Sequence, residues 1–357
     1  MLTRRHFAAA PLLIAASSPM HTNAQEAVIW TWPEGSLGEL GFDPTLGDRL
    51  VEELPNFPAA TGVVVIRNGQ LAFEHYVLPD DATTLVNIRS VTKSLTSTLV
   101  GIALHRGELE SIDFTLGDLI PDRIPVDADP AVAGITLRSL LTMTSGLWWD
   151  GHEDWGMLLA SDNWTETTLT QPIVASQGEQ FVYNTGGSHL IGVVVEAVTG
   201  RPLEEYAGEH LFSPLGIGDG NWMRSPQGEV NGGAGLELTP RDTAKLGQLL
   251  LQRGLWGDTQ VLGDDYAIAS TTRQSEGESV TGGSIGVAYG FQWWVTNDTG
   301  YEAFFALGFG GQYVYVVPDL DVVIVVAARF EDGEQPILTS HRPISEQIVI
   351  PAILDRP

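Results

Sequence analysis

Two apolar runs near the start of the chain frame its most legible local structure. Residues 63–76, VVVIRNGQLAFEHY, place β-rich segments on either side of Asn68-Gly69. That dipeptide suits a two-residue hairpin turn, which needs positive φ at both positions. The spacing then changes. Val91, Leu95, Leu99 and Ile102 recur at helical intervals and predict a helix over about 89–106, with Gly107 as its stop. Helical patterns continue through LRSLLTM (137–143), HLIGVVVEAV (189–198) and PRDTAKLGQLLLQRG (240–254). Strand-like runs return in FQWWV (291–295), EAFFA (302–306), QYVYVV (312–317) and VVIVVAA (322–328). Strands, then helices, then strands predict an α+β fold. An antiparallel sheet drawn from both chain ends would be flanked by helices, with a mostly helical subdomain inserted. The α/β part is expected over about 25–105 and 256–357, and the helical part over about 106–255.

The 357 residues suffice for a sizeable core, and 43% are hydrophobic, too many for a disordered chain. The formal net charge of −27 argues against nucleic acid as a partner, because a polyanion would be repelled. The acid excess reads as a solvated surface; a saline habitat would also account for it. Cysteine is absent, which removes disulfides, thiolate metal sites and a cysteine nucleophile.

Residues 1–24 read as an address. Thr3-Arg4-Arg5-His6-Phe7 resembles the twin-arginine export motif, an apolar stretch follows from Ala8 to Ala16, and Thr22-Asn23-Ala24 offers small residues for cleavage. The apolar run is too short to span a bilayer, which takes about 20 residues. The expectation is a cleaved signal, a periplasmic or secreted protein, and no stable membrane insertion afterwards.

The chemistry centres on Ser90-Val91-Thr92-Lys93. Residues three apart share a helix face, so Ser90 would sit in the first turn with Lys93 one turn inward. Serine is a weak nucleophile until a base takes its proton, and lysine can do so once burial lowers its pKa. Lys93 is one of only two lysines, and its helical stretch, 90–104, is otherwise uncharged. The competing reading of the bare motif is a surface helix pair.

The segment NIRSVTKSLTSTLVGIALHRGEL resembles the active-site helix of serine β-lactamases and penicillin-binding proteins, whose signature is Ser-x-x-Lys. ITLRSLLTMTSGL, FVYNTGGSHLIGVVVEAVTG, FSPLGI, GGAGLELTPRDTAKLG and GFGGQYVYVVPDLDVVIVV continue the likeness in family order over about residues 60–330. The texture is similar to the class C branch, and within it to 6-aminohexanoate-dimer hydrolase-like proteins. The resemblance implies a β-lactamase/transpeptidase-like fold. It implies a serine hydrolase that cleaves an ester or linear amide through an acyl-enzyme on Ser90 and needs no metal or cofactor. Tyr183 falls on the family's catalytic tyrosine, and the oxyanion donors would be the backbone N–H groups of Ser90 and Phe309. Trp149, Thr185 and Gly308 are the expected pocket residues.

Two departures stand out. The family's Tyr-x-Asn reads Tyr183-Asn184-Thr185, and its basic residue before x-Gly is Ala306, ahead of Leu307-Gly308. Both speak against a β-lactamase or D-Ala-D-Ala carboxypeptidase, the alternative within enzymes. The alternative outside enzymes, a ligand-binding protein of the same fold, would be expected to have lost Ser90 or Lys93. Three features read as decoys. Gly282-Gly283-Ser284-Ile285-Gly286 lacks the strand and helix of a nucleophile elbow, Asp150-Gly151-His152-Glu153-Asp154 fits no helical metal site, and His189 reads as a satisfied core histidine.

Overall fold

The computed structural model describes residues 31–151, 153–277, 288–329 and 341–356. The export segment, His152 and the Gly282–Gly286 loop lie outside them. Eleven strands are described: β1 (Ala60–Arg67), β2 (Gln70–Tyr76), β3 (Val86–Asn87), β4 (Glu237–Leu238), β5 (Leu255–Trp256), β6 (Thr259–Gln260), β7 (Ala288–Tyr289), β8 (Trp294–Thr296), β9 (Ala303–Gly308), β10 (Gln312–Val317) and β11 (Val322–Ala328). The helices are α1 (Leu46–Glu53), α2 (Val91–His105), α3 (Leu116–Leu119), α4 (Leu137–Leu141), α5 (Glu153–Ala160), α6 (Trp164–Leu169), α7 (Thr185–Thr199), α8 (Leu203–Ala207), α9 (Ser213–Leu215), α10 (Pro240–Leu251) and α11 (Asp264–Ser270). Helical turns at Ile344–Val349 and Ile350–Ala352 follow β11.

Seven strands form the main sheet in the order β2-β1-β11-β10-β9-β8-β7, with antiparallel pairing throughout. The first hairpin thus meets the last strand across β1 and β11, Val64 opposite Val325. Asn68 and Gly69 adopt φ of 51° and 70°, the mirror-image turn expected of that dipeptide. Both faces of the sheet are covered. Val64, Ile66, Ala306, Val314, Val316, Val323 and Val325 join the core that holds α2 and α10. The alternate residues Val63, Val65, Leu307, Tyr313, Tyr315, Ile324 and Val326 join the core that holds α1 and the C-terminal turns. Burial on two faces explains why β11 reads as an unbroken apolar run rather than an alternating one. Fully burying one such side chain contributes about 1.5–3 kcal/mol.

One expected strand is shorter than its pattern. Within FQWWV only Trp294 and Val295 belong to β8, because Gln292 turns the chain with φ 64°. The Gln292 side chain explains the turn. Its amide donates to the carbonyls of Leu140 (2.9 Å) and Leu141 (3.0 Å) and accepts from the Ser188 hydroxyl (2.8 Å). Its own carbonyl accepts from the Ser94 hydroxyl at 2.6 Å. One buried glutamine therefore ties α2, α4 and α7 together. Among the described residues no helix is long and apolar enough to cross a membrane.

Candidate active site

Ser90 stands at the N-cap of α2, the 15-residue helix whose N-terminus points at the site. A serine there ordinarily spends its hydroxyl on an N–H of the first turn; Ser90 makes no such bond. Its Oγ instead lies 3.1 Å from Lys93 Nζ. The approach to Ser90 is tightly held. Ile88 N–H donates to Leu236 O at 2.9 Å, Arg89 N–H to Asn87 Oδ1 at 2.9 Å, and the Thr92 hydroxyl to Arg89 O at 2.7 Å. Arg89 takes φ 52°, a sparsely populated conformation that such bonds must sustain.

Lys93 is buried, at 1% exposure. Its Nζ contacts three oxygens: Ser90 Oγ, Thr185 Oγ1 at 3.0 Å, and Gly233 O at 2.7 Å. The Gly233 carbonyl is aimed by Asn231, whose Oδ1 accepts from the N–H groups of Gly233 (2.8 Å) and Ala234 (3.0 Å). Burial pulls the Lys93 amine down to about 7, because water no longer stabilises its charge. A neutral amine has two N–H donors and one lone pair. Thr185 and Gly233 can take the donors, which leaves the lone pair for the Ser90 proton.

Tyr183 closes the triangle. Burial pushes its phenol up to about 12, outweighing the opposite pull of the Ser90 side chain. The ring stacks on Trp294 with centroids 5.7 Å apart, and Lys93 Nζ lies 5.0 Å from its centroid. Its backbone is braced at Met143, where Val182 N–H donates to the Met143 carbonyl at 2.8 Å and Met143 itself takes φ 59°. The two groups beside Ser90 are thus driven apart. The amine can accept a proton near neutrality, and the phenol keeps one available to donate. Such a separation suits one group to take a proton and the other to give one.

The turn after β9 faces the same helix terminus. A Cβ on Gly308 would meet Ile88 O at 2.5 Å and Arg89 Cβ at 3.1 Å, so only glycine lets β9 lie this close to the residues before Ser90. Phe309 follows, 39% exposed.

The model of the family described as Beta-lactamase matches residues 48–339. The chain belongs to the beta-lactamase family. It is a serine hydrolase of that family, as its relatives' names also indicate. It is 24% identical over 368 residues to a 6-aminohexanoate-dimer hydrolase of Paenarthrobacter ureafaciens, with 90% of each chain covered. It is 28% identical over 193 residues to esterase EstB of Burkholderia gladioli, covering 50% of this chain and 49% of that one. The crystal structure of a penicillin binding protein from Bacillus halodurans shares the fold, with a TM-score of 0.64, 20% identity, and 80% and 96% of the two chains covered.

Set in this family, the remaining expected residues fall in different places. Thr185 does not project as a free pocket wall; its hydroxyl bonds Lys93. Asn184, one place early relative to the family's amide, caps α7 by accepting from Gly187 N–H at 2.7 Å. Its Nδ2 turns toward the carbonyls of Leu147 and Trp148. Trp149 is buried at 6% exposure with Leu158 and Trp164, packed against Gly186, whereas its neighbour Trp148 is the ring left 44% exposed. Ala306 is buried under the helices and brings only a methyl group where the family's cation is expected. Asp150 and Asp154 bond the backbone around the start of α5, through Glu153 N–H to Asp150 Oδ1 and Asp150 N–H to Asp154 Oδ2. His189 is fully buried as expected, but only half satisfied. Its Nε2 meets the Thr165 hydroxyl at 3.2 Å, and its Nδ1 has no partner among the described residues. Sequence reasoning missed Gly233, which acts through its backbone carbonyl, and Asn231, which aims it; the matched GGAGLELT segment, starting at Gly232, holds Gly233 but not Asn231.

Proposed function

We propose that this family member hydrolyses an ester or a linear amide through an acyl-enzyme on Ser90. The observation that carries the reading is the buried amine of Lys93, 3.1 Å from an uncapped serine hydroxyl at a helix N-terminus and poised near neutrality. Lys93 takes the Ser90 proton as Oγ attacks the carbonyl carbon. The backbone N–H groups of Ser90 and Phe309 receive the developing oxyanion, favoured by the α2 dipole. Tyr183 passes a proton to the leaving alcohol or amine and regains one from the Lys93 ammonium, and water, activated by the same pair, releases the acid. Ala306 supplies no cation for a β-lactam carboxylate, which favours uncharged or linear substrates. The 6-aminohexanoate-dimer hydrolase and esterase EstB are the relatives whose names match this choice. The twin-arginine-like start supports export to the periplasm or medium; an intact N-terminus on the protein recovered outside the cytoplasm would contradict that part.

The test is hydrolysis, side by side, of a p-nitrophenyl short-chain ester, a linear aminohexanoate amide and a chromogenic cephalosporin, with Ser90→Ala as the blank. Ester or amide turnover that vanishes in the variant supports the proposal. Dominant cephalosporin turnover would overturn the substrate class, and turnover that survives in Ser90→Ala would overturn the mechanism.

A further inference from the structure

His341 lies far from Ser90 in sequence and touches none of the three reacting side chains, yet it bears on the turn between β9 and β10. It is fully buried just before the C-terminal helical turns. Its Nδ1 lies 2.7 Å from the Gly311 carbonyl. Because a carbonyl can only accept, the ring proton sits on Nδ1 and Nε2 carries a bare lone pair. That Nε2 is buried without a partner among the described residues, and the Phe57 and His341 rings pack T-shaped at 6.0 Å between centroids. Burial also disfavours the charged imidazolium, so the ring stays neutral. Among the described residues the ring's one hydrogen bond is therefore the one from Nδ1–H to the Gly311 carbonyl.

The turn is shaped around this ring. Gly311 has φ 96°, and a Cβ there would collide with the imidazole. Gly311 N–H closes the turn onto Gly308 O at 3.1 Å. The Gly308 carbonyl and the Phe309 N–H belong to one planar peptide unit and point in opposite directions across it. Whatever fixes Gly308 O therefore also aims Phe309 N–H. The residues next to His341 are anchored. Arg342 donates to Asp298 Oδ2 (2.5 Å), Glu346 Oε1 (2.5 Å) and Thr296 Oγ1 (3.2 Å), and lies over the Phe305 ring at 5.3 Å. On the opposite side, the Gln312 amide pairs with the backbone of Ala328, donating to its carbonyl and accepting from its N–H.

We infer that His341 is a positioning residue: its Nδ1–H holds Gly311, and through the Gly311–Gly308 bond it holds the Phe309 N–H in line with the oxyanion. This rests on the acyl-enzyme reading above, in which Phe309 N–H is a donor. This hold acts on the transition state, since the oxyanion develops only there.

The experiment compares the wild-type protein with His341→Leu, His341→Gln and His341→Asn. An asparagine amide nitrogen falls near the place of Nδ1, whereas a glutamine's falls near Nε2. Three readings are taken for each: kcat and KM on a p-nitrophenyl ester, affinity for an alkylboronic acid that forms a tetrahedral adduct with Ser90 Oγ, and thermal stability. The expected result is a fall in kcat of roughly 10- to 100-fold for Leu and Gln, less than loss of a whole oxyanion donor causes. Boronate affinity should fall by the same factor with KM nearly unchanged, and Asn should restore both. If Leu fails to fold, the Asn–Gln difference carries the test. Equal kcat in Asn and Gln, or loss of kcat without loss of boronate affinity, overturns the inference and leaves the acyl-enzyme reading standing. A wild-type protein that neither turns over ester nor takes boronate on Ser90 overturns both.

Discussion

Replacing Lys93 by Met separates catalysis from stability, because turnover is lost at every pH while the effect on stability changes with pH. The lysine ionises at about 7 when folded, against an ordinary value near 10.5. The unfolded chain therefore binds more protons between those values, and the wild-type protein gains stability as pH rises through that window. Each pH unit inside it is worth about 1.4 kcal/mol. Between pH 6 and pH 9 the wild type should gain about 3 kcal/mol from this residue alone, given the 7 and 10.5 end points. The methionine variant has no such contribution. Its side chain fills a similar volume but leaves the Gly233 carbonyl without its 2.7 Å partner, a cost of about 1–3 kcal/mol that does not vary with pH. The stability of Lys93→Met relative to wild type should thus fall by about 3 kcal/mol from pH 6 to pH 9. Urea unfolding of both proteins at the two pH values measures this double difference, and titrations common to both cancel. A difference that stays constant with pH would show that Lys93 is not held near neutrality. The same titration predicts an acid limb in kcat/KM near pH 7 for the wild type.

Three further substitutions probe the parts around it. Tyr183→Phe keeps the ring on Trp294 but removes the phenol; kcat should fall by roughly 10²–10⁴-fold with the acid limb unmoved, and a shifted limb would make the phenol part of the base. Thr185→Val removes an acceptor that stabilises the charged amine more than the neutral one, so the limb should move to lower pH; movement to higher pH in the kcat/KM profile would contradict the hydrogen-bond account. Asn184→Ala strips the cap of α7 and should cost about 0.5–2 kcal/mol in urea unfolding, and an unchanged midpoint would show that the cap contributes nothing.

The sheet was readable from sequence because its strands bury both faces: the runs at 312–317 and 322–328 are almost wholly apolar, and Asn68-Gly69 announces its turn by residue type alone. Ser90 and Lys93 were readable because one helical turn joins them. What joins Lys93 to Thr185 and Gly233 is the packing of α2 against α7 and the 231–234 turn, at separations of 92 and 140 residues. A backbone carbonyl such as that of Gly233 has no side-chain signature. Trp148 and Trp149 are identical neighbours, and only packing against Gly186 decides which ring turns inward. The strand expected over 291–295 broke because Gln292, polar among aromatics, spends its amide on the helices around it rather than on a strand partner. His341 is one of eight histidines in the sequence, and its meaning appears only once Gly311 is seen against its ring.

The most direct test of the central claim is the mass of the intact protein quenched during turnover of a slow p-nitrophenyl ester. The account predicts an added acyl group, mapped by peptide analysis to Ser90 and absent from Ser90→Ala. An acyl group on another residue, or turnover with no adduct under conditions where release is slower than acylation, would contradict it.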